Sequence, residues 1–443
     1  MQRVNSDMVN SANCLSMLFK ARGNGLGSIR KDNLASFRCL EGRRGGGGFD
    51  IRIALSHTVY NIVLNAAAGL LISEKVKTIK QGISIVEDKL NNGSVLNKPT
   101  IAYQTYGKLN HNKSNAILIC HALTGDQYAA GTHPVTLKLG WWNDMIGKDK
   151  VFDTNSYFII CTNVLGGCMG STGPKSINPD TNNYFGNDFP EIGIQDMVNL
   201  QKKLIDHLGI EKLLCVVGGS MGGMQVLEWA TKYSERVKLA IPIATSYRHT
   251  AQNIAFHEVG RQAIKNDTNW LNGDYIKNNT SPEKGLAAAR MVAHITYMSE
   301  KSLSKKFGRN KKNLNPLSKI FEGSFEVENY LQYQGSSFVS RFDANSYLHL
   351  TRSMDRFDLS EKFNGNLEKV FKSNTCKWLI ISFNSDWLFP TSESKRLVNA
   401  LNANACNVSF VEIESDRGHD SFLLQIPRLY NILRGFLIGA KFK

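Results

Sequence analysis

The stretch that decides the expected fold is Val216-Val217-Gly218-Gly219-Ser220-Met221-Gly222-Gly223-Met224, a G-x-S-x-G pattern centred on Ser220. An apolar run at 213–217 precedes it, and a run with helical spacing at 224–233 follows it. A serine on a sharp strand-to-helix turn projects its hydroxyl above a sheet, and flanking glycines let strand and helix pass closely. A glycine turn with an incidental serine gives the same pattern. Ser220 is therefore a candidate nucleophile that the rest of the chain must support.

A serine nucleophile needs a base and an orienting acid, which in this type of fold follow in the order Ser, Asp or Glu, His. The apolar segment 377–390 leads to Asp386 in a loop before a further helix, and the alternating segment 409–419 leads to His419. We expect an apolar helix to start near Ser421. Singly, Asp386 could be a strand-terminal cap and His419 an ordinary histidine. Together, and in this order, they predict the acid and the base of a triad.

Two further carboxylates, Asp416 and Asp420, compete with Asp386 for the role of orienting acid. They share a loop with the histidine, and such close neighbours rarely reach its far ring nitrogen. Asp386 therefore remains the better orienting acid.

An oxyanion hole needs two backbone N–H groups aimed at the developing charge. One comes from the residue after the nucleophile, here Met221, and the other from a loop that follows an earlier strand. Residues 116–120 form an apolar strand-like run, and the loop 121–126 follows it. We predict the Leu123 N–H as the second donor and interpret His121 as a structural histidine.

Beyond the serine pattern, several long segments resemble the homoserine O-acetyltransferases, acyltransferases of the α/β-hydrolase superfamily. The resemblance covers roughly residues 80–440 and is more specific than the G-x-S-x-G pattern. It is carried by segments 121–126, 140–147, 163–174, 218–225, 289–297, 341–348 and 417–423. It implies an α/β-hydrolase fold, a mostly parallel sheet flanked by helices, with an inserted helical lid.

The resemblance also implies roles for individual residues. Ser220, Asp386 and His419 match the catalytic triad of the family. Arg290 matches the arginine that holds the substrate carboxylate, and Asp420 matches the aspartate that holds the substrate amine. Tyr297 is a further candidate from the same block as Arg290. A solvent-facing helix arginine and a helix-terminal acid are the alternatives for the substrate pair, but apolar neighbours surround Arg290, and a buried arginine needs an anion.

The activity that this resemblance implies is acetyl transfer from acetyl-CoA to the hydroxyl of L-homoserine by a ping-pong mechanism, in methionine biosynthesis. Acetyl-CoA is then a co-substrate, no cofactor stays bound, and a homodimer is expected. Succinyl transfer or a serine acceptor on the same scaffold are the nearer alternatives. A carboxylesterase or thioesterase is more remote, and the presence of all three triad residues argues against a catalytically inactive binding module.

The order of apolar runs suggests one large domain with an insertion. Core segments are predicted at 76–245 and 356–443, with a mostly helical lid at 246–355 between them. Residues 1–75 do not match the family pattern. We expect this N-terminal extension to be largely disordered.

The formal net charge is +15, and residues 301–319 hold seven basic residues and no acid. No nucleic-acid-binding module accompanies the charge, so a solvated surface or attraction of CoA phosphates explains it better.

The eight cysteines occur singly, with no metal-binding spacing, as expected in a reducing compartment. No stretch is long and apolar enough for a membrane span. We predict no metal site and a cytoplasmic location; acids in the first 50 residues weaken an organellar transit peptide.

Overall fold

A computed structural model describes residues 82–85, 87–311 and 325–439. The predicted N-terminal extension, residues 1–75, lies outside the described residues, as does the second half of the basic run at 301–319. The strands of the described part are β1 (Gly82–Ser84), β2 (Glu87–Lys89), β3 (Val95–Asn97), β4 (Thr100–Tyr106), β5 (Ala116–Cys120), β6 (Ile146–Gly147), β7 (Phe152–Asp153), β8 (Phe158–Thr162), β9 (Leu213–Gly219), β10 (Val237–Ile243), β11 (Lys377–Phe383) and β12 (Val408–Ile413).

Eight of these strands form one sheet in the order β1-β4-β8-β5-β9-β10-β11-β12. Strand β4 runs antiparallel to its two neighbours, and all other neighbouring pairs are parallel. Strands β2 and β3, and β6 and β7, form two small separate ladders. The architecture is therefore a mostly parallel sheet, as the sequence predicts.

The α-helices of the described part are α1 (Ile194–His207), α2 (Met221–Lys232), α3 (Ala251–Lys265), α4 (Glu283–Tyr297), α5 (Glu300–Lys306), α6 (Glu326–Val339), α7 (Ala344–Asp355), α8 (Thr391–Ala403) and α9 (Pro427–Gly439). Helices α3 to α7 lie between β10 and β11, in the stretch for which a lid is predicted. None of the described helices is both long and apolar enough to cross a membrane.

The central strands are apolar along their whole length because helices or loops cover both faces of the sheet. Every residue of β5 is buried, and its side chains alternate between two separate cores. Leu118 belongs to the core under helices α1, α2 and α8, whereas Ile117 and Ile119 belong to the core under α9. Helix α2 is buried from Met221 to Ala230, which makes it the central helix of the first core.

One helix differs from the sequence prediction. The expected apolar helix near Ser421 is instead a short 3-10 helix, Gly418–Leu423, and the α-helix begins at Pro427. The Ser421 hydroxyl donates to the Gly418 carbonyl, a local side-chain bond that competes with α-helix formation. Proline is favoured in the first turn of a helix, which fits the later start.

The parallel strands β5, β9, β11 and β12 end at the same edge of the sheet. Cys120 at the end of β5 pairs with Gly218 near the end of β9, and Phe383 at the end of β11 pairs with Ile413 at the end of β12. Loops that leave the carboxyl ends of parallel strands form the usual ligand-binding edge of such sheets. All predicted catalytic residues follow one of these four strands.

Candidate active site

Ser220 lies at the turn between β9 and α2 with φ 58° and ψ −124°, a conformation that residues with a Cβ rarely adopt. Its N–H donates to the Ile243 carbonyl (3.0 Å), and its carbonyl accepts from the Thr245 hydroxyl (2.8 Å). These contacts tie the turn to the end of β10. The side chain is almost buried, with 6% of the residue exposed.

The glycines around Ser220 are explained by close backbone packing. A Cβ on Gly218 would lie 2.6 Å from the Cys120 carbonyl oxygen, and one on Gly222 would overlap the same oxygen. The turn from strand to helix therefore passes directly over the end of β5. The structure supplies the physical reason for the glycines that the sequence pattern contains.

His419 and Asp386 form a buried pair. The Nδ1 of His419 lies 2.7 Å from the Oδ2 of Asp386, and the other carboxylate oxygen accepts from the N–H groups of Leu388 (3.0 Å) and Phe389 (2.8 Å). Only 2% of His419 and 3% of Asp386 are exposed. Because Nδ1 donates to the carboxylate, Nε2 is the ring nitrogen left to accept a proton.

Two opposing effects set the proton affinity of His419. Burial lowers its pKa. The charge of Asp386 and the hydrogen bond to it raise the pKa by a larger amount, so the pKa of His419 lies above the ordinary value of 6.5. The imidazolium formed when the base takes a proton is thereby stabilised. This is the electrostatic role expected of an orienting acid.

Aromatic rings hold the base against the serine turn. His419 stacks on Phe389 with centroids 5.0 Å apart, and the Phe422 ring lies at 5.5 Å. Phe422 also occupies the space where a Cβ on Gly219 would be. One phenyl ring thus touches both the residue before the candidate nucleophile and the candidate base, so the fold brings together the loops of Ser220 and His419.

The predicted oxyanion loop lies beside the same turn. The His121 carbonyl accepts from the side-chain amide of Gln225 in α2 (3.3 Å). In the described part of the chain, neither the Leu123 N–H nor the Met221 N–H has a protein acceptor. His121 itself is buried, its Nε2 accepts from the Val164 N–H (3.1 Å), and burial lowers its pKa. This agrees with the interpretation of His121 as structural.

The predicted substrate residues lie around His419. Asp420 is its chain neighbour, and the Tyr297 ring lies 6.0 Å from its imidazole. The Arg290 guanidinium lies over that tyrosine ring at 5.6 Å and donates to the Thr124 hydroxyl (3.3 Å). Its Nε is buried without a hydrogen-bond partner in the described structure. Burial raises the pKa of Asp420, and the charges of His419 and Arg290 oppose that shift.

Arg341 is a site residue that sequence reasoning missed as an individual. Its guanidinium donates to the carbonyl of Thr124 (3.0 Å), the residue whose hydroxyl Arg290 contacts. Both guanidinium groups also lie over the Phe338 ring, at 4.7 Å for Arg290 and 5.1 Å for Arg341. The only sequence signal was that Arg341 opens one of the family-like segments.

The end of α4 holds the acid and base loops together. The Trp387 indole N–H donates to the Met298 carbonyl (2.9 Å), and Gly418 packs against Ser299. The two loops also contact each other, since the Gly418 N–H donates to the Ser385 hydroxyl (3.0 Å). The segment 297–299 therefore fixes the positions of both Asp386 and His419.

A separate cluster contains side chains that could bind a metal ion, namely His249, His257 and Asp355. Both histidine Nδ1 atoms lie within hydrogen-bond distance of one Asp355 oxygen (2.9 and 2.8 Å), and Arg261 donates to the other (2.6 Å). These hydrogen bonds, with the charge of Arg261, account for the geometry. The His249 ring lies 5.6 Å from Phe389, so the cluster supports the acid loop.

Comparisons with known proteins identify the fold and the relatives of this chain. A family model described as an alpha/beta hydrolase fold matches residues 115–425, more than half of the chain. A homoserine O-acetyltransferase of Mesorhizobium japonicum is 58% identical over 352 residues, covering 80% of this chain and 90% of the relative. A homoserine O-acetyltransferase structure from Bacillus anthracis has a TM-score of 0.75 and 29% identity, covering 80% and 96% of the two chains. Esterase E22 is also similar, with a TM-score of 0.72, 31% identity and coverages of 80% and 98%.

Proposed function

We propose that Ser220 carries the acetyl group from acetyl-CoA to the hydroxyl of L-homoserine. The premise is that this chain belongs to the homoserine O-acetyltransferase family of α/β-hydrolase-fold enzymes. The observation that carries this proposal is a buried Asp386–His419 pair, held against the Ser220 turn, with Arg290 and Asp420 beside it. The pair supplies acyl-transfer chemistry, and its two charged neighbours complement a zwitterionic acceptor.

In the first half-reaction, His419 Nε2 takes the proton of the Ser220 hydroxyl while the oxygen attacks the thioester carbonyl carbon. The resulting oxyanion accepts hydrogen bonds from the N–H groups of Leu123 and Met221, which have no protein acceptor in the described structure. Collapse breaks the carbon–sulfur bond, and His419 gives its proton to the thiolate. CoA leaves, and acetyl-Ser220 remains.

In the second half-reaction, His419 takes the proton of the homoserine hydroxyl, whose oxygen attacks the acetyl-Ser220 carbonyl. The same two N–H groups stabilise the second oxyanion. Collapse breaks the bond to the Ser220 oxygen, His419 returns the proton to it, and O-acetylhomoserine leaves. Every step is an acyl or proton transfer, so we propose that the enzyme needs no resident metal or cofactor and uses acetyl-CoA only as a co-substrate.

The acceptor must be oriented by its charged ends. We propose that Arg290 binds its carboxylate and Asp420 its ammonium group, with Tyr297 lining the space between Arg290 and His419. The buried, unpartnered Nε of Arg290 supports an anion at this place. Asp420 immediately follows the base, so an ammonium group bound there would bring the acceptor hydroxyl near Nε2.

An esterase or thioesterase is the second candidate, because esterase E22 shares the fold. Hydrolysis needs no residues that bind a charged acceptor. The presence of both Arg290 and Asp420 near the base is useful when the acceptor is an amino acid, because one can bind its carboxylate and the other its ammonium group. Succinyl-CoA as donor and serine as acceptor use the same triad. They remain alternatives that only substrate measurements separate.

We also propose a cytoplasmic homodimer. The described cysteines are all free, and Cys120, Cys161 and Cys215 are buried in the sheet, which fits a reducing compartment. Val259, Ile295 and Tyr333 on helices α3, α4 and α6 are 54%, 40% and 60% exposed, which supports association through these helices. Light scattering of the purified protein tests the dimer.

The experiment that tests the activity is CoA-thiol release from acetyl-CoA or succinyl-CoA, each with homoserine, serine or water as acceptor. We expect homoserine-dependent release from acetyl-CoA that Ser220→Ala abolishes. Preference for succinyl-CoA or serine would keep the mechanism and change the substrate. Release at the same rate without an amino acid would contradict the acyltransferase proposal and the roles of Arg290 and Asp420.

A further inference from the structure

Two guanidinium groups meet at one residue of the oxyanion loop. Arg290 from α4 donates to the Thr124 hydroxyl, and Arg341, which follows α6, donates to the Thr124 carbonyl. Both lie against the Phe338 ring. Within 82–85, 87–311 and 325–439, neither arginine forms an ion pair with a carboxylate, although several exposed arginines of this chain do.

In the described part of the chain, no anion pairs directly with these two guanidinium groups. Two like charges in a partly buried place repel each other, and burial together with the charge of Arg290 lowers the pKa of Arg341. The charge of the buried Asp126, whose carboxylate is paired with His133, opposes this shift without an ion pair to Arg341. A guanidinium group that lies on an apolar ring makes no hydrogen bond to that ring. Its N–H groups can therefore donate to a planar carboxylate. The nearby acid Asp420 acts on Arg290 only through its charge, without a direct ion pair in the described structure.

We propose that Arg341 binds the carboxylate of the acceptor amino acid together with Arg290, so that a pair of guanidinium groups above Thr124 selects acceptors with an α-carboxylate. This inference rests on the proposed function, because it takes an amino acid as the acceptor. Thr124 directly follows Leu123, so the bound carboxylate lies one residue from the predicted oxyanion donor. The site then has two cations for the carboxylate and one anion, Asp420, for the ammonium group.

The test compares two acceptors, homoserine and 3-amino-1-propanol, which keeps the hydroxyl and the amine but lacks the carboxylate. In Arg341→Met, we expect the KM for homoserine to rise roughly 10- to 100-fold, the range for loss of one charge-assisted hydrogen bond. The kcat/KM for 3-amino-1-propanol and the rate of Ser220 acetylation should stay within about twofold of the wild-type values. The advantage of homoserine over its analogue should therefore shrink.

Arg434→Met is the matched control. Arg434 also donates to a backbone carbonyl, that of Asp149 (3.3 Å), but it lies on α9 at the surface. It should leave both acceptors unaffected. Arg341→Lys is the second variant, because it keeps a positive charge if the methionine variant does not fold. It should raise the KM for homoserine less, and again without slowing the analogue.

Three results would overturn the proposal. Equal slowing of both acceptors and of acetylation would mean that Arg341 only positions the oxyanion loop through Thr124. Unchanged kinetics in a folded variant would mean that it has no role in acceptor binding. A raised KM for acetyl-CoA with an unchanged KM for homoserine would assign Arg341 to the donor. If the unchanged protein does not use homoserine at all, the proposed function fails, and this outcome is separate from the other three.

Discussion

At the scale of single residues, the most unusual feature is the backbone of Ser220. Its φ of 58° and ψ of −124° lie in a region that favours glycine, yet the position carries a hydroxyl that is needed for chemistry. The hydrogen bonds to Ile243 and from Thr245 hold this conformation. Strain at this point is the cost of exposing the nucleophile above the sheet.

Ser220→Gly should therefore be inactive but more stable. Relief of the strain contributes roughly 1–3 kcal/mol, and the greater freedom of glycine in the unfolded chain removes roughly 0.5–1 kcal/mol of it. We expect the free energy of unfolding to rise by about 1 kcal/mol. Ser220→Ala keeps the strain and serves as control. Urea unfolding of the three proteins measures this, and equal stability of the two variants would show that the turn is not strained.

The acid–base pair predicts a pH dependence. Neutral His419 is the base, so acetylation of Ser220 should fall as the pH drops through the His419 pKa, which lies above 6.5. Asp386→Asn removes the charge that raises this pKa, so the acidic limb of the profile should move to lower pH. The plateau rate should fall by about 10⁴-fold, the loss given for the same change in a serine protease triad.

The rate of CoA release in the first half-reaction, measured from pH 5 to pH 9, checks both effects. An acidic limb that stays in place, or moves to higher pH, would mean that Asp386 does not control the base.

At the scale of elements, the segment 297–299 at the end of α4 matters because both catalytic loops contact it. Gly418 has φ 74°, and a Cβ there would lie 2.5 Å from the Ser299 nitrogen and 2.7 Å from the Met298 carbonyl carbon. Glycine at this position lets the loop before His419 approach the end of α4. The position of the base thus depends on a helix that also supplies Arg290.

Gly418→Ala should displace the His419 loop. We expect the free energy of unfolding to fall by roughly 1–3 kcal/mol and CoA release to fall on the order of 10- to 100-fold. Gly435→Ala is the control, since that glycine is exposed within α9 and an added Cβ meets no atom within 4 Å. It should raise stability by about 0.5–1 kcal/mol with unchanged activity. Wild-type activity in Gly418→Ala would refute this account of the contact.

The sequence predicts the elements that carry the triad better than those that surround it. Strands β5, β9 and β11 are continuous apolar runs, because parallel strands are buried on both faces. The α-helix expected near Ser421 was wrong, because an apolar run alone does not separate a 3-10 turn from an α-helix. Arg341 escaped assignment because its contact with Thr124 joins residues 217 positions apart.

At the scale of the whole molecule, the net charge of +15 is not spread evenly. The basic run at 301–319 begins in α5, and the hydroxyl of Ser299, the residue that caps this helix, donates to the Asp416 carbonyl in the loop before His419. Lys305 lies 3.9 Å from the Asp416 carboxylate. The described part of the run therefore begins next to the base loop, and we propose that the phosphates of CoA approach the site there.

Changing Lys305, Lys306 and Lys311 to glutamate should raise the KM for acetyl-CoA roughly tenfold at low ionic strength. The effect should shrink near 1 M salt, where the Debye length is about 3 Å. The same change at Lys362, Lys369 and Lys372, exposed residues before β11, alters the net charge equally and serves as control. Equal effects of both triple variants would show that only net charge matters.

The most direct test of the central claim is to look for the acyl-enzyme. The protein is mixed with acetyl-CoA without acceptor, quenched within seconds, and digested for mass spectrometry. The account predicts one acetyl group on the peptide that contains Ser220, absent in Ser220→Ala and discharged faster by homoserine than by water. Homoserine-dependent CoA release at full rate, with no acetyl group on Ser220 at any time, would contradict it.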